Sequence, residues 1–386
     1  MRDIIGMFIG IAAAVIAAPG ARADGVDPSN TILGTQTFSP AYQFGGETRL
    51  VETAEAIRKM GANVIKFELS ARYARPDGNV GKADPSIRSL ADLALREPSH
   101  RRVLDMPFGH FVLWAHAFSN SHEAWRGGFP ASAREAEYRE IRDLAKCLLE
   151  TYSGSGKTFY LGHWEGDGLL RGSVAGENDA KVTPEAVGGM IEWLNCRQCA
   201  IDDAKRETPH AKVDVWHYTE VNHVRLAMDE GRPAMANRVL PKANVDFVSY
   251  SCYDTQSDPA LLKRALDYIE AKLPAKQGIA GKRVFIGEYG FPAVRHSPEE
   301  VDRLSRRVMS AGIEWGCPFV LYWEIYNNEV GPDGKQIGFW MIDDKGVKQP
   351  VYETHRRFYE WAGKRAPGPG RGDAEFRAAA VEFLRD

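Results

Sequence analysis

Val284-Phe285-Ile286-Gly287-Glu288-Tyr289-Gly290 decides the fold, because this stretch belongs to one of eight segments that share a plan. Its first four residues are strand-like, and a carboxylate and an aromatic side chain follow directly. A helix-like segment comes next, beginning at Ser297-Pro298-Glu299-Glu300 and ending near Trp315-Gly316. A strand, a polar strand end and a helix form the repeating unit of α/β proteins.

The same unit recurs on both sides of this stretch. Hydrophobic patterning predicts seven further strands and a helical connection after each of them. We expect the strands at 31–35, 63–69, 111–116, 158–162, 213–218, 247–250 and 319–323, and the helices at 47–60, 86–96, 134–151, 184–206, 234–239, 259–273 and 352–361.

Eight strand and helix pairs fit an α/β protein of the (β/α)₈ TIM-barrel type. The alternative is an open, doubly wound sheet, which needs a glycine-rich phosphate loop after one of its strands. No predicted strand is followed by G-x-G-x-x-G or by a P-loop motif. We therefore predict one barrel domain over residues 24–364. Residues 365–386 are interpreted as a turn-rich linker and a short C-terminal tail without an assigned function.

The first 23 residues have the pattern of a secretory signal peptide. Arg2 precedes an apolar stretch over residues 4–18, and the small-residue pattern Ala21-Arg22-Ala23 follows. We expect cleavage after Ala23; the alternative is an uncleaved membrane anchor. The prediction is a secreted or periplasmic protein with no stable membrane anchoring after signal cleavage.

Charge and cysteine content exclude two classes of protein. The chain has 49 Lys and Arg against 52 Asp and Glu, a formal net charge of −3, and no basic run longer than a pair. Nucleic acid is therefore not an expected partner. Five cysteines are too few and odd in number for a disulfide scaffold. Cys196 and Cys199 form a C-x-x-C in a helical stretch, either as a local disulfide or as two packed thiols.

Carboxylates, aromatic rings and histidines collect at the predicted strand ends. Catalytic groups of a barrel lie at the carboxyl ends of its strands. Two carboxylates on opposing strand ends, in an aromatic cleft, are what cleavage of a glycosidic bond needs. The candidates are Glu68, His116, His163, Trp164, Glu165, Asp167, His217, Tyr218, Glu220, Asn222, Tyr250, Tyr253, Glu288, Tyr289, Trp323, Glu324 and Tyr326.

Several histidines near strands three to five raise the alternative of a metal site. Zinc or iron needs three converging ligands. The sequence has no H-x-H and no H-E-x-x-H motif. We expect neither a catalytic metal nor a cofactor.

Ile286-Gly287-Glu288-Tyr289-Gly290 resembles the nucleophile strand of clan A glycoside hydrolases, which are retaining (β/α)₈ enzymes. The resemblance implies that Glu288 is the nucleophile and that Glu165, after strand four, is the acid/base. It also implies that Tyr250 or Tyr253 hydrogen-bonds the nucleophile, and that Trp323 lies under the sugar that is cleaved.

One departure from the clan pattern concerns the residue before the acid/base. The clan places an Asn there to bind the sugar 2-hydroxyl, whereas this chain has Trp164. His163 or Asn222 then makes that contact, or the substrate binds differently. Asp167 and Glu220 are alternative acids. Trp164, His116 and His217 complete the expected substrate-binding residues.

The sequence therefore predicts a secreted retaining glycoside hydrolase that acts on an oligo- or polysaccharide by double displacement. Two alternatives remain open. The first is a non-catalytic carbohydrate-binding barrel derived from a glycosidase, and the second is a transglycosylase that uses the same site.

Overall fold

The computed structural model describes residues 31–75, 80, 82–173, 178–365 and 374–385. Eight parallel strands form a closed barrel in which each strand pairs with its neighbours in sequence order, and the first strand pairs with the last. This confirms the predicted TIM barrel. The strands are β1 (Leu33–Gln36), β2 (Val64–Leu69), β3 (His110–Ala115), β4 (Thr158–Gly162), β5 (Asp214–Val221), β6 (Phe247–Ser251), β7 (Val284–Tyr289) and β8 (Val320–Tyr322).

Helices surround the barrel and connect its strands. They are α1 (Arg49–Met60), α2 (Leu90–Arg96), α3 (Pro98–Asp105), α4 (Ala131–Thr151), α5 (Gly166–Arg171), α6 (Pro184–Glu207), α7 (Val224–Asp229), α8 (Pro259–Lys272), α9 (Pro298–Trp315), α10 (Pro350–Gly363) and α11 (Ala374–Arg385). The weak helix expected at 234–239 is a short π-helical turn, Met235–Val239.

Local sequence signals explain where the helices begin. Proline occupies the first turn of α6, α8 and α9, where its missing N–H costs no hydrogen bond. The preceding Thr183, Asp258 and Ser297 each accept a hydrogen bond from the first turn. In the predicted helix 86–96, the same kind of cap at Ser89 delays the start to Leu90. The separate helix α3 begins at Pro98, which disfavours helical backbone at Glu97.

Side chains alternate along each strand between two cores. One core fills the barrel interior and contains mostly aromatic side chains, including Tyr160, Tyr218, Phe285 and Phe319. The other lies between the strands and the helices and is mostly aliphatic. This alternation determines which residue of a strand faces the axis.

The C-terminal residues 374–385 form a helix that packs on the barrel. Ala380, Val381 and Leu384 of α11 are buried, and Arg377 donates to the carbonyl oxygens of Ile313 and Cys317 near the end of α9. The predicted tail is thus packed against the domain. The predicted linker lies mostly outside the described residues, and the predicted signal peptide lies wholly outside them.

Two smaller points concern the thiols and the membrane. All five cysteines are free, and of the C-x-x-C pair Cys196 is buried whereas Cys199 is exposed. In the described part of the chain, no helix combines the length and apolarity that crossing a membrane requires.

Candidate active site

A buried lysine joins two carboxylates at the centre of the barrel mouth. Lys66 lies on β2, where it alternates with the outward-facing Ile65 and Phe67. Its Nζ is 2.7 Å from Oε2 of Glu220 on β5 and 2.9 Å from Oε1 of Glu288 on β7. Lys66 and Glu220 are fully buried and Glu288 is 3% exposed. The elements that supply these groups are separated in sequence, so only closure of the barrel brings them together.

Glu220 accepts three hydrogen bonds within the protein, which is the pattern of a structural support. Its Oε2 accepts from Lys66 and from the Ser249 hydroxyl, at 2.7 Å each. Its Oε1 accepts from the backbone N–H of Glu165. Glycine at 287 makes room for this arrangement, since a Cβ there would lie 1.7 Å from Oγ of Ser249. Glu220 thus fixes both Lys66 and the backbone that carries Glu165.

Glu165 lies between the end of β4 and helix α5, and its side chain is 7% exposed. The Asn222 amide, at the end of β5, donates from Nδ2 to Glu165 Oε2 over 2.9 Å. Burial raises the pKa of Glu165 well above its ordinary value, and the charges of Glu288 and Glu220 raise it further. Glu165 is therefore protonated when its neighbours are ionised.

Glu288 receives two donors. Lys66 contacts one carboxylate oxygen, and the hydroxyl of Tyr253 donates to the other over 3.3 Å. Burial raises the pKa of Glu288 to about 8, although Lys66 and Tyr253 both act to lower it. The pKa of Lys66 is itself raised, because its two carboxylates outweigh the effect of burial.

The surrounding charges make Glu165 and Glu288 differ in the pH at which each one ionises. Three carboxyls, from Glu165, Glu220 and Glu288, surround one lysine. Glu288 contacts the cation whereas Glu165 contacts a neutral amide, so Glu288 ionises before Glu165 as the pH rises. The state with Glu288 charged and Glu165 protonated suits a nucleophile beside an acid.

A cavity of about 470 Å³ adjoins these groups through two of its lining residues: the Trp114 ring centroid is 4.7 Å from Nζ of Lys66, and Trp164 directly precedes Glu165. Its apolar wall is aromatic: Trp323 after β8 stacks on Phe38 with ring centroids 5.3 Å apart, and Trp114 packs on Phe38 at 3.9 Å. Apolar faces of sugars pack on such rings. The other lining residues are Ser39, Glu68, Arg72, His116, His122, Trp164, Leu169, Asn328 and Glu329.

Two histidines in this wall act as a neutral pair. His116 and His122 face each other with their Nδ1 atoms 3.0 Å apart. Burial lowers the pKa of both rings. One neutral ring then donates to the other, and the pair presents no net charge to the cavity.

Four of the predicted site residues lie in this cavity or at Glu288, namely His116, Trp164, Trp323 and Tyr253. His217 and Tyr250 do not. His217 on β5 is fully buried on the helix side of the strand, near Arg197, and its ring nitrogens have no partner among the described residues. The substrate-binding role predicted for His217 does not fit this position.

Tyr250 also points away from the cleft. Its ring belongs to the core between strands and helices, and its hydroxyl contacts Asp254 and Thr255. Of the two tyrosines proposed as the partner of the nucleophile, Tyr253 therefore makes the contact with Glu288.

The structure also places the alternative acids and the two candidates for the contact that the missing Asn would make. Asp167 is fully buried and accepts from Arg171 and from the backbone of Met235 and Asn222. Glu220 is fully buried and accepts from Lys66, Ser249 and the backbone of Glu165. His163 faces helix α6, where its ring packs on Trp193, and its Nε2 contacts the hydroxyl of Thr219 on β5. Asn222 donates to Glu165 and therefore lies at the candidate site, whereas His163 does not.

Sequence reasoning missed Lys66, which is central to the site. Its signal was a single charged residue inside an apolar strand of a sheet covered on both faces, where a charge requires a partner. Other cavity residues were also missed, because they come from loops, from a short 3-10 turn (Arg72) and from helix α5 (Leu169), and no periodic pattern marks such positions as facing a cavity. These are Ser39, Arg72, His122, Leu169, Asn328 and Glu329.

No protein-family profile matches the chain, and no curated protein is similar to it in sequence. Solved structures are similar in fold. A family 5, subfamily 18 glycoside hydrolase from Bifidobacterium longum subsp. infantis superposes with a TM-score of 0.57 at 14% identity, over 88% of this chain and 80% of that one. The barrel resembles those of glycoside hydrolases.

Two further structures extend the comparison. A subfamily 18 enzyme from Streptomyces cattleya, in complex with Manβ1-4GlcNAc, gives a TM-score of 0.56 at 12% identity, over 92% of this chain and 91% of that one. A family 39 glycoside hydrolase from Bacteroides cellulosilyticus gives 0.51 at 12% identity, over 86% of this chain. This chain spans 64% of that enzyme's length. The resemblance to clan A is confirmed as a likeness of fold.

Proposed function

We propose that this chain is a retaining glycoside hydrolase with Glu288 as nucleophile and Glu165 as acid/base. The observation that carries the proposal is a difference between two carboxyls. Glu288 pairs with Lys66. Glu165 contacts the neutral amide of Asn222, and the negative charges of Glu288 and Glu220 raise its pKa. A structural ion pair alone would not need a second carboxyl with a raised pKa in the same cleft. The adjoining aromatic cavity supplies a surface for a sugar ring.

In the first step, ionised Glu288 attacks the anomeric carbon while the proton of Glu165 passes to the glycosidic oxygen, and the aglycone leaves. Formation of the ester removes the charge of Glu288. The pKa of Glu165 then falls, because that charge is one of the causes that raise it.

In the second step, ionised Glu165 takes a proton from a water molecule whose oxygen attacks the anomeric carbon. The bond to Glu288 breaks, and its carboxylate returns to Lys66. Lys66 stabilises the carboxylate both before the attack and as it is expelled, so it favours departure as well as ionisation.

The direct test is turnover by purified chain on aryl β-glycosides and polysaccharides. The panel should contain β-glucosides and β-mannosides, since one similar structure holds Manβ1-4GlcNAc. We expect the first product released to keep the β configuration at its anomeric carbon. NMR of the anomeric proton during the reaction measures this. Sugar binding by calorimetry without turnover would favour the carbohydrate-binding alternative, which the Trp at position 164 supports. Transfer to an added sugar in preference to water would indicate a transglycosylase.

The pH dependence of this turnover follows from the two carboxyls. Activity needs Glu288 ionised, so kcat/KM should rise through the raised pKa of Glu288, about 8, rather than through the ordinary value of 4.5. It should fall again at higher pH as Glu165 loses its proton. An optimum near pH 5 would contradict the proposed protonation states.

Tyr253 and Tyr250 offer a matched pair of substitutions. Tyr253→Phe removes a donor to the Glu288 carboxylate, and we expect kcat/KM to fall about tenfold, with the rising limb at higher pH. Tyr250→Phe removes a hydroxyl that contacts Asp254 and Thr255 and not Glu288. That variant should unfold more easily by about 1 kcal/mol, with an unmoved pH profile. If the two variants had the same pH profile of kcat/KM, the hydrogen bond from Tyr253 would not influence the ionisation of Glu288.

We also propose export, on the evidence of the leader pattern in residues 1–23. The protein from its native host should begin at Asp24 when its N-terminus is sequenced. An intact Met1 on protein from the cytoplasmic fraction would contradict cleavage and export.

A further inference from the structure

Asn222 is in direct contact with the acid/base, and since its Oδ1 has no hydrogen-bond partner among the described residues, the bond from Nδ2 to Glu165 is the contact that orients its amide. Its Nδ2 donates to Oε2 of Glu165, while its backbone N–H donates to Asp167 over 3.1 Å. Asp167 is fixed in turn by Arg171 and by the backbone of Met235. The Asn222 side chain is 5% exposed. It therefore approaches Glu165 from a rigid, buried support.

The orientation of this amide is linked to the position of the proton on Glu165. An N–H that points at Oε2 occupies that oxygen with a donor, so a proton on the same oxygen would meet another hydrogen. The proton of the resting acid then belongs on Oε1. If the amide were turned over, Oδ1 would face Oε2 and would accept the acid's proton itself.

We propose that Asn222 is a positioning residue that keeps the proton of Glu165 on Oε1, free to pass to the glycosidic oxygen. The catalytic consequence of this inference rests on the proposed function. The hydrogen bond and its effect on the titration of Glu165 can be measured without a substrate. In the first step the O–H bond of Glu165 breaks as the glycosidic oxygen gains the proton and loses its bond to the anomeric carbon. In the second step Glu165 regains a proton from water.

Charged groups from four elements also act on Glu165 and are unchanged by substitution of Asn222. They are Glu288 on β7, Glu220 on β5, Lys66 on β2 and Asp167 on α5. A change in the titration of Glu165 in an Asn222 variant therefore reports the amide contact. A donor to the ionised carboxylate lowers its pKa, so its removal raises that pKa.

The first experiment is NMR titration of side-chain carboxyls in ¹³C-glutamate-labelled protein, with Glu165→Gln used to assign the signal. In Asn222→Ala we expect the midpoint of Glu165 to move upward by about 1 pH unit. Asn222→Asp keeps the shape and replaces the donor with a negative charge, so the midpoint should move further. Asn328→Ala is the matched control, because Asn328 lines the same cavity but donates to the Phe38 carbonyl. An unmoved midpoint in both Asn222 variants would overturn the proposal.

The second experiment compares leaving groups on the aryl β-glycoside that the wild type hydrolyses. Dinitrophenolate leaves without a proton, whereas phenolate needs one from the acid. We expect Asn222→Ala to lower kcat/KM about tenfold or more for the phenyl glycoside and little for the dinitrophenyl glycoside. An equal loss on both would show that Asn222 binds substrate or supports the fold instead. If the wild type turns over no glycoside, the proposed function fails, and the titration alone decides the role of Asn222.

Discussion

Replacement of Glu288 by alanine is expected to lower turnover by about four orders of magnitude or more, because the attacking oxygen is removed. Folding should be retained. Lys66 keeps its ion pair with Glu220 in this variant, so the substitution leaves no buried cation without a partner. The measurement is kcat on the best substrate of the panel, together with the thermal midpoint of the variant.

Added azide should restore part of the lost rate in Glu288→Ala. It can attack from the side that the carboxylate vacates, and it would give a glycosyl azide of inverted configuration. Glu288→Gln keeps the shape of the side chain without a nucleophile, and it should be equally inactive. Asp302→Ala is a control, since it removes a buried, ion-paired carboxylate from α9 outside the barrel. Near wild-type turnover by Glu288→Ala would show that Glu288 is structural.

The periodicity of the sequence predicts the barrel well, because each strand and helix is marked by its own local pattern. Strand four matches the predicted residues 158–162, and the other strands differ at their ends. Strand five is the instructive case, since it continues to Val221 and so includes Glu220. Glu220 is a polar residue that follows the predicted end of the strand, yet it is part of the barrel wall.

The site is predicted less completely, because the direction of a side chain depends on strand alternation more than on nearness to a strand end. On β5, Tyr218 faces the axis, so its neighbour His217 must face the helices. On β6, Phe247 faces the axis, and Tyr250, three residues later, falls on the opposite side. Counting in steps of two from one inward residue would have excluded both. Tyr253 escapes this rule because it follows the strand end.

Asn222 makes a contact with Glu165 that its position in the sequence does not reveal. The sequence has Trp where the clan pattern has an amide, directly before Glu165. In the folded chain an amide reaches Glu165 from the next strand. Sequence position alone could not show this, because strands four and five meet only through their pairing in the sheet.

Replacement of Lys66 by methionine is expected to have the second-largest effect, on stability and on activity. The substitution leaves the carboxyls of Glu220 and Glu288 buried without a cation, and loss of one partner from a buried ion pair costs about 3–5 kcal/mol. The loss should depend on pH. Removal of the cation raises the pKa of Glu288 in the folded state further, because Lys66 acts to lower it, so the variant loses stability as the pH rises above the ordinary carboxyl value. Below pH 4, where Glu288 is protonated in both the folded and the unfolded state, most of this difference should vanish.

Activity of Lys66→Met should follow the same titration. Glu288 then ionises only at a pH above its value in the wild type, so the rising limb of kcat/KM moves upward. Lys157→Met is the matched control, because Lys157 is also buried but contacts the carbonyl oxygens of Leu104 and Met106. It too should lower stability, yet it should leave the pH profile of activity in place, since it faces neither Glu165 nor Glu288. A pH profile that stays fixed in Lys66→Met would mean that Lys66 holds the barrel together without setting the charge of the nucleophile.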